Sequence, residues 1–210
     1  MAQANDAGAG PQPAEDSPAW VSRKLLRAAR GGTLATAVQG QPFATLVTPA
    51  CAADLSVLLL LSDLSEHTRH LRQEPRCSLL VSGMPTAANP QTAPRVTVTG
   101  LAEVADEPAL KARFLAVHPY AGLYADFGDF HLWRIRPAGA LFVGGFARAA
   151  RIKAADLLPD PAAAAAIEAA AGDIMGHCNA DHPDALAAIA GSAHAGADGA
   201  WRIVGIDVDG

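Results

Sequence analysis

Residues Val57 to Ser82 read VLLLLSDLSEHTRHLRQEPRCSLLVS, two short apolar runs separated by a polar segment. Val57–Leu61 and Cys77–Val81 each have the length of a buried strand, far below the roughly 20 apolar residues of a membrane span. The polar middle reads as a helix, with Ser65 placed to cap its free N–H groups and Pro75 opposing its continuation. Ser62, Ser65, His67 and Thr68 collect where the first strand opens into that helix. Backbone donors and hydroxyls gathered there suit an anion, although ordinary helix capping explains the same residues and is favoured by spacing alone.

The 210 residues allow one large domain, or one domain with an appendage, and half of them are hydrophobic. A core is therefore expected. The net charge of −5 argues against a nucleic-acid footprint, leaving small molecules or protein as partners. Cys51, Cys77 and Cys178 form no CxxC pair and are too few for a disulfide framework, which suits a reducing compartment. The opening MAQANDAGAGPQPAEDSPAW has neither a basic start nor an apolar core, so it reads as a disordered tail over residues 1–17 and not as a signal peptide. No exporting or anchoring segment is recognised. A cytoplasmic location without a membrane partner is expected.

Upstream of the opening stretch, Ser17 to Arg30 reads as a helix, with Val21, Leu25, Leu26 and Ala29 on its apolar side, Arg23, Lys24 and Arg27 elsewhere, and Gly31-Gly32 as its stop. Thr33–Val38 and Phe43–Thr48 flank Gln39-Gly40-Gln41-Pro42 as a hairpin. Pro49–Leu55 is a loop. Downstream, the three prolines of Ser82–Pro94 make a loop that leads into Arg95–Val104, where Val96 and Val98 alternate with polar neighbours as in a half-buried strand. Glu107–Val117 is helical from Pro108, and Phe130–Arg136 and Ala140–Val143 read as the last two strands of the domain. Six or seven short strands with few helices between them fit an antiparallel barrel better than a parallel sheet.

A boundary falls near Asp156–Pro161, separating a domain at 18–155 from an appendage at 156–210. The appendage opens with the near low-complexity helix PAAAAAIEAAAGD, continues in a helix near Asp184–Ala190, and ends in a strand at Trp201–Val208. A lone strand would expose an unpaired edge, so it either docks on the barrel or belongs to a longer module.

His177-Cys178-Asn179-Ala180-Asp181-His182 is the densest polar group, with His194 further on. Imidazole, thiolate and carboxylate are metal ligands, but His177 and His182 stand five apart, roughly 140° around a helix, where a zinc helix needs four. Spacing favours a hydrogen-bonded corner, and no metal ligand is assigned. Gly144-Gly145-Phe146 is either a close backbone approach to a ligand or, more simply, a turn. Arg134, Arg136, Arg148 and Arg151 either face an anion or decorate an edge strand. No P-loop, GxGxxG or GxSxG string is present.

Phe43–Thr48, then LSDLSEHTRHLRQEPRCSLLVS, then RVTVTGLAEV together resemble the core of the pyridoxamine 5′-phosphate oxidase-like, FMN-binding split barrels. The SEHT string and the DF-x-L-x-R-I-x-P…FVGGF run from Asp129-Phe130 to Phe146 are similar to its heme-utilisation (HugZ-type) branch. His177 to Leu186 likewise resembles the H-x-N-x-D-H-x-D-A-L string of that branch's small C-terminal domain. The fold implied is α+β: an antiparallel split β-barrel with flanking helices and a small C-terminal α/β appendage.

The resemblance implies a homodimer with a shared cofactor pocket, holding FMN or, alternatively, heme, in an oxidoreductase-like protein of heme utilisation or degradation. A non-enzymatic, cofactor-carrying or regulatory interaction barrel is the other reading. Carried over residue by residue, the cofactor site would use Thr48, Leu61, Ser62, His67, Thr68 and Arg95. The oxidases have arginine and lysine at the ends of the strand where this chain has Phe43 and Thr48, and paired cations where it has Glu66 and His67. A phosphate normally takes charge-assisted partners worth roughly 1.5–3 kcal/mol each. No catalytic residue is assigned, and none of the seven histidines is named as a heme ligand.

Overall fold

A computed structural model describes residues 17–85, 87–145, 148–193 and 199–209. Residues 1–16 of the expected tail, Phe146 and His194 lie outside these. The order is α1 (Pro18–Ala28), β1 (Gly32–Val38), β2 (Gln41–Val47), β3 (Ala50–Cys51), β4 (Val57–Ser62), α2 (Glu66–Gln73), β5 (Arg76–Ser82), β6 (Arg95–Val104), α3 (Pro108–Val117), β7 (Phe130–Val143), β8 (Ala149–Lys153), α4 (Ala154–Leu157), α5 (Pro161–Asp181) and α6 (Pro183–Ala193). The strands form one eight-stranded sheet in the order β2-β1-β5-β6-β7-β4-β3, with β8 also on β7. Every pairing is antiparallel. The expected split barrel with flanking helices is what forms.

The unbroken apolar run of β4 has a simple cause. Val57, Leu59 and Leu61 face the main core with Leu34, Leu79, Val96, Val98 and Ile135. Leu58 faces the other way, into a second cluster with Leu110, Phe114 and Leu132 beneath α3. A strand covered on both faces loses its polar alternation.

The hairpin forms with a two-residue turn, Gln39 and Gly40 both having positive φ (52° and 81°), the geometry that matches strand twist. The two strands expected at Phe130–Arg136 and Ala140–Val143 are one, because Pro137 and Ala138 carry the chain through without a turn. The first half of β7 pairs with β4 and its second half with β8, which splits the barrel. β8 itself was not foreseen, nor was the short β3 inside the expected loop Pro49–Leu55.

Three further expectations fail. Gly31-Gly32 does not stop α1, which ends at Ala28 with Ala29 already extended, while Gly32 opens β1. Two of the basic residues placed away from the packed side are drawn inward instead, Arg23 buried and Arg27 half-buried. Arg23 is only 4% exposed and donates to the carbonyls of Leu157 and Leu158 at 2.7 Å each, and the Arg27 side chain is 10% exposed. Trp201–Val208 forms no strand, since no sheet edge receives it. The segment docks through side chains: Asn179 exchanges two hydrogen bonds with the Ile203 backbone, and Asp207 and Asp209 meet Arg27. No helix among the described residues is long and apolar enough to cross a membrane.

Candidate functional site

β4 ends at Ser62, whose hydroxyl donates to Asp129 Oδ2 at 2.6 Å and accepts from the Leu64 amide at 3.1 Å. This turn delivers the chain into α2. Ser65 takes the capping position, but its side chain makes no capping bond, contrary to expectation; the hydroxyl of Ser62 holds the turn instead.

Helix α2 lies over the β1–β2 hairpin through histidines. His67 Nδ1 meets Thr45 Oγ1 at 3.1 Å, and His70 Nδ1 meets Thr36 Oγ1 at 3.0 Å. Phe43 packs edge-on to the His70 ring, with centroids 5.2 Å apart. The remaining polar atoms of the inner face, His67 Nε2 and Thr68 Oγ1, are buried and have no hydrogen-bond partner. Burial, and then the neighbouring His70, hold the His67 imidazole below its ordinary pKa, so it is neutral near pH 7.

A cleft of about 240 Å³ opens beside this corner. Leu46, Val47, Leu60, Leu61 and Phe130 form its apolar walls, and Thr48, Ser62, Ser65 and His67 supply its polar groups. No lysine or arginine lines it. Of the six expected site residues, Thr48, Leu61, Ser62 and His67 therefore share one cleft. Thr68 lies fully buried one position along α2, outside the lining. Arg95 stands apart: it pairs with Val143 at one end of β7, whereas Ser62 pairs with Phe130 at the other. Its guanidinium donates to the carbonyls of Gln91 and Ala93.

Leu46, Val47, Leu60 and Phe130 were missed as lining residues. Each reads in the sequence as an ordinary apolar strand residue, and only the structure sets Leu46 apart, as a large apolar side chain that stays 81% exposed. The arginines considered for an anion divide. Arg134 and Arg136 both bind Glu103, at 2.9 and 2.7 Å, so their charge is committed, while Arg148, just before β8, and Arg151, within it, stay exposed.

The cleft does not fit the phosphate end of FMN. A dianion there would meet only hydroxyls and a neutral imidazole, without a charge-assisted partner. A planar, mostly apolar ring system fits better, for five of the nine lining residues are apolar.

The comparisons agree with this architecture. The pyridoxamine 5′-phosphate oxidase family matches residues 21–144. The non-canonical heme oxygenase HOZ, chloroplastic, of Arabidopsis thaliana is 37% identical over 139 residues, covering 63% of this chain and 42% of that protein. The chain thus spans less than half the length of that relative. A heme binding protein from Mycobacterium smegmatis is 31% identical, with TM-score 0.64, over 85% of this chain and 74% of its own. A protein of unknown function from Agrobacterium tumefaciens is 28% identical, with TM-score 0.74, over 96% and 85%. With a match that runs from α1 to the end of β7, the chain belongs to the pyridoxamine 5′-phosphate oxidase family.

Proposed function

We propose that this chain is a heme-binding member of the family, acting in heme utilisation or degradation, and that the cleft between β2, β4 and α2 receives heme in preference to FMN. The observation that carries the reading is a largely apolar cleft lined by no lysine or arginine, with His67 among its polar residues. The similarity to a heme oxygenase and to a heme binding protein supports it. Thr48, Ser62 and His67 would hold the polar edge of the ring, while Leu46, Leu61 and Phe130 would pack on its plane. When bound, heme supplies an iron centre for dioxygen chemistry. The protein's part is to exclude water and orient the ring.

The protein works as a homodimer in this reading. At about 240 Å³ the cleft is smaller than the roughly 300–1,000 Å³ typical of small-molecule sites, so one chain gives only part of the wall. Beside it the outer sheet face carries a cross-strand row, Leu46, Thr33, Leu80, Thr97 and Leu141. The parallel row is Ala44, Ala35, Ser78, Thr99 and Gly139. None of these ten positions is charged, and Leu46, which ends the first row, also lines the cleft. A second copy on this face would cover both. Three unpaired cysteines, with Cys51 and Cys77 buried, suit a reducing compartment such as the cytoplasm.

Absorption spectroscopy tests the reading. Hemin added to the purified chain should give a saturable Soret band, FMN should bind at least tenfold more weakly, and His67→Ala should weaken hemin binding while Arg95→Ala leaves it unchanged. Tighter binding of FMN than of hemin overturns the cofactor assignment. Binding of neither favours the regulatory interaction barrel.

A further inference from the structure

The histidine-rich segment has no part in the cleft, and its geometry is not what its spacing implies. Helix α5 runs to Asp181, and His182 leaves it with φ −129° and ψ 43° because Pro183 cannot continue the helix. Its ring therefore swings back over the last turn. His182 Nε2 stands 3.1 Å from His177 Nε2, with the two rings edge to face and their centroids 4.8 Å apart. The angle of 140° that argued against a shared site applies to two residues within one helix, and His182 is not within it.

Two nitrogens bound to one zinc-like ion at about 2.0–2.1 Å, with an angle between about 90° and 109°, lie about 2.8–3.4 Å apart. The observed separation falls inside that range. His177 Nδ1 in turn lies 2.8 Å from Asp181 Oδ2, which places a carboxylate behind the ring on the side away from Nε2. A carboxylate behind a ligating imidazole is the usual outer support of a metal-bound histidine.

We propose that His177 and His182 form a two-imidazole site for a divalent transition metal of the zinc or copper type, with Asp181 as its orienting carboxylate. Asn179 is not a ligand, being held by the Ile203 backbone. Cys178 projects about 100° away around α5 and is not one either. The His177 and Asp181 side chains are 62% and 59% exposed, so the remaining positions on the ion are open to water or to an outside ligand. Among the described residues no three potential ligands converge, which makes this an open site and not a closed structural one.

Calorimetric titration of the untagged full chain tests it, with Zn²⁺, Cu²⁺, Ni²⁺ and Mg²⁺ as probes. One Zn²⁺ per chain should bind, Cu²⁺ more tightly than Ni²⁺ or Zn²⁺, and Mg²⁺ not at all, the order expected of imidazole ligands. His177→Ala and His182→Ala should each weaken zinc at least tenfold, Asp181→Asn should do so more mildly, and Cys178→Ser should have no effect. A readout free of substitution is the ¹⁵N ring spectrum, in which zinc should shift Nε2 of these two histidines and no others. Absence of zinc binding, zinc binding kept in the double histidine variant, or zinc binding lost with Cys178→Ser overturns the site.

Discussion

Arg27, in α1, and Asp209, 182 positions later, are joined by a 2.9 Å hydrogen bond from Nε and a 2.8 Å ion pair from Nη2, and the Asp209 side chain is wholly shielded from solvent. The same guanidinium reaches Asp207 at 2.9 Å and donates to the carbonyls of Ala52 and Ala53. Arg113 of α3 also pairs with Asp207 and donates to the Cys51 carbonyl. One arginine thus ties the C-terminal segment, the β3 loop and α1 together. Removing one partner of a buried ion pair leaves the other charge stranded, at a cost of about 3–5 kcal/mol. Arg27→Ala should therefore lower unfolding stability by about that amount in urea titration. A change below 1 kcal/mol would show that the segment is not held by this cluster.

Gly100 sits where the β6–β7 register shifts, and a Cβ there would lie 2.2 Å from the Arg136 carbonyl oxygen and 2.9 Å from Ile135 Cγ2. Backbone blocks the space, so no side chain can move aside. Gly100→Ala should destabilise the chain by about 1–3 kcal/mol or more, read as a fall in the urea midpoint. An unchanged midpoint would mean that the bulge relaxes freely.

The glycine of RVTVTGLAEV was legible in the sequence as part of a pattern, and the bulge supplies its physical reason. The alternation of Val96 and Val98 was equally legible, because β6 has one wet face. What stayed hidden depended on distant partners. Asp207 and Asp209, two apart, lie on one side of an extended segment as a strand would place them, but their complement is a pair of arginines and not a sheet edge. Arg23 read only as lying off the apolar side of α1, because nothing local announces the carbonyls of Leu157 and Leu158. At the cleft, Thr48, Leu61, Ser62 and His67 came together because strand, turn and helix are contiguous, whereas Arg95 was placed by resemblance and lies at the far end of β7.

His67 gives stability a pH dependence. Its folded pKa is depressed by burial and by His70, while the unfolded chain keeps the ordinary value of 6.5. As pH falls through that value the unfolded chain takes up the proton first, so stability is full above about pH 6.5 and is lost on acidification. Melting temperature should drop more steeply between pH 7 and pH 5 in the native chain than in His67→Gln, which cannot titrate. Parallel slopes would exclude His67 as the source.

Leu80 occupies the centre of the uncharged cross-strand row, between Thr33 and Thr97, and is 38% exposed in the single chain. A charge placed there faces solvent in a monomer and costs little folding stability, but at a packed interface it would be desolvated without a partner. If the proposed homodimer forms through this face, Leu80→Arg should leave the melting temperature of the isolated chain nearly unchanged while shifting sedimentation from dimer to monomer mass. Because Leu46 belongs to both the row and the cleft, hemin binding should weaken in the same variant. An unaltered dimer carrying Leu80→Arg would place the second copy on another face, and an unaltered hemin affinity in a monomer would show that one chain suffices to hold the cofactor.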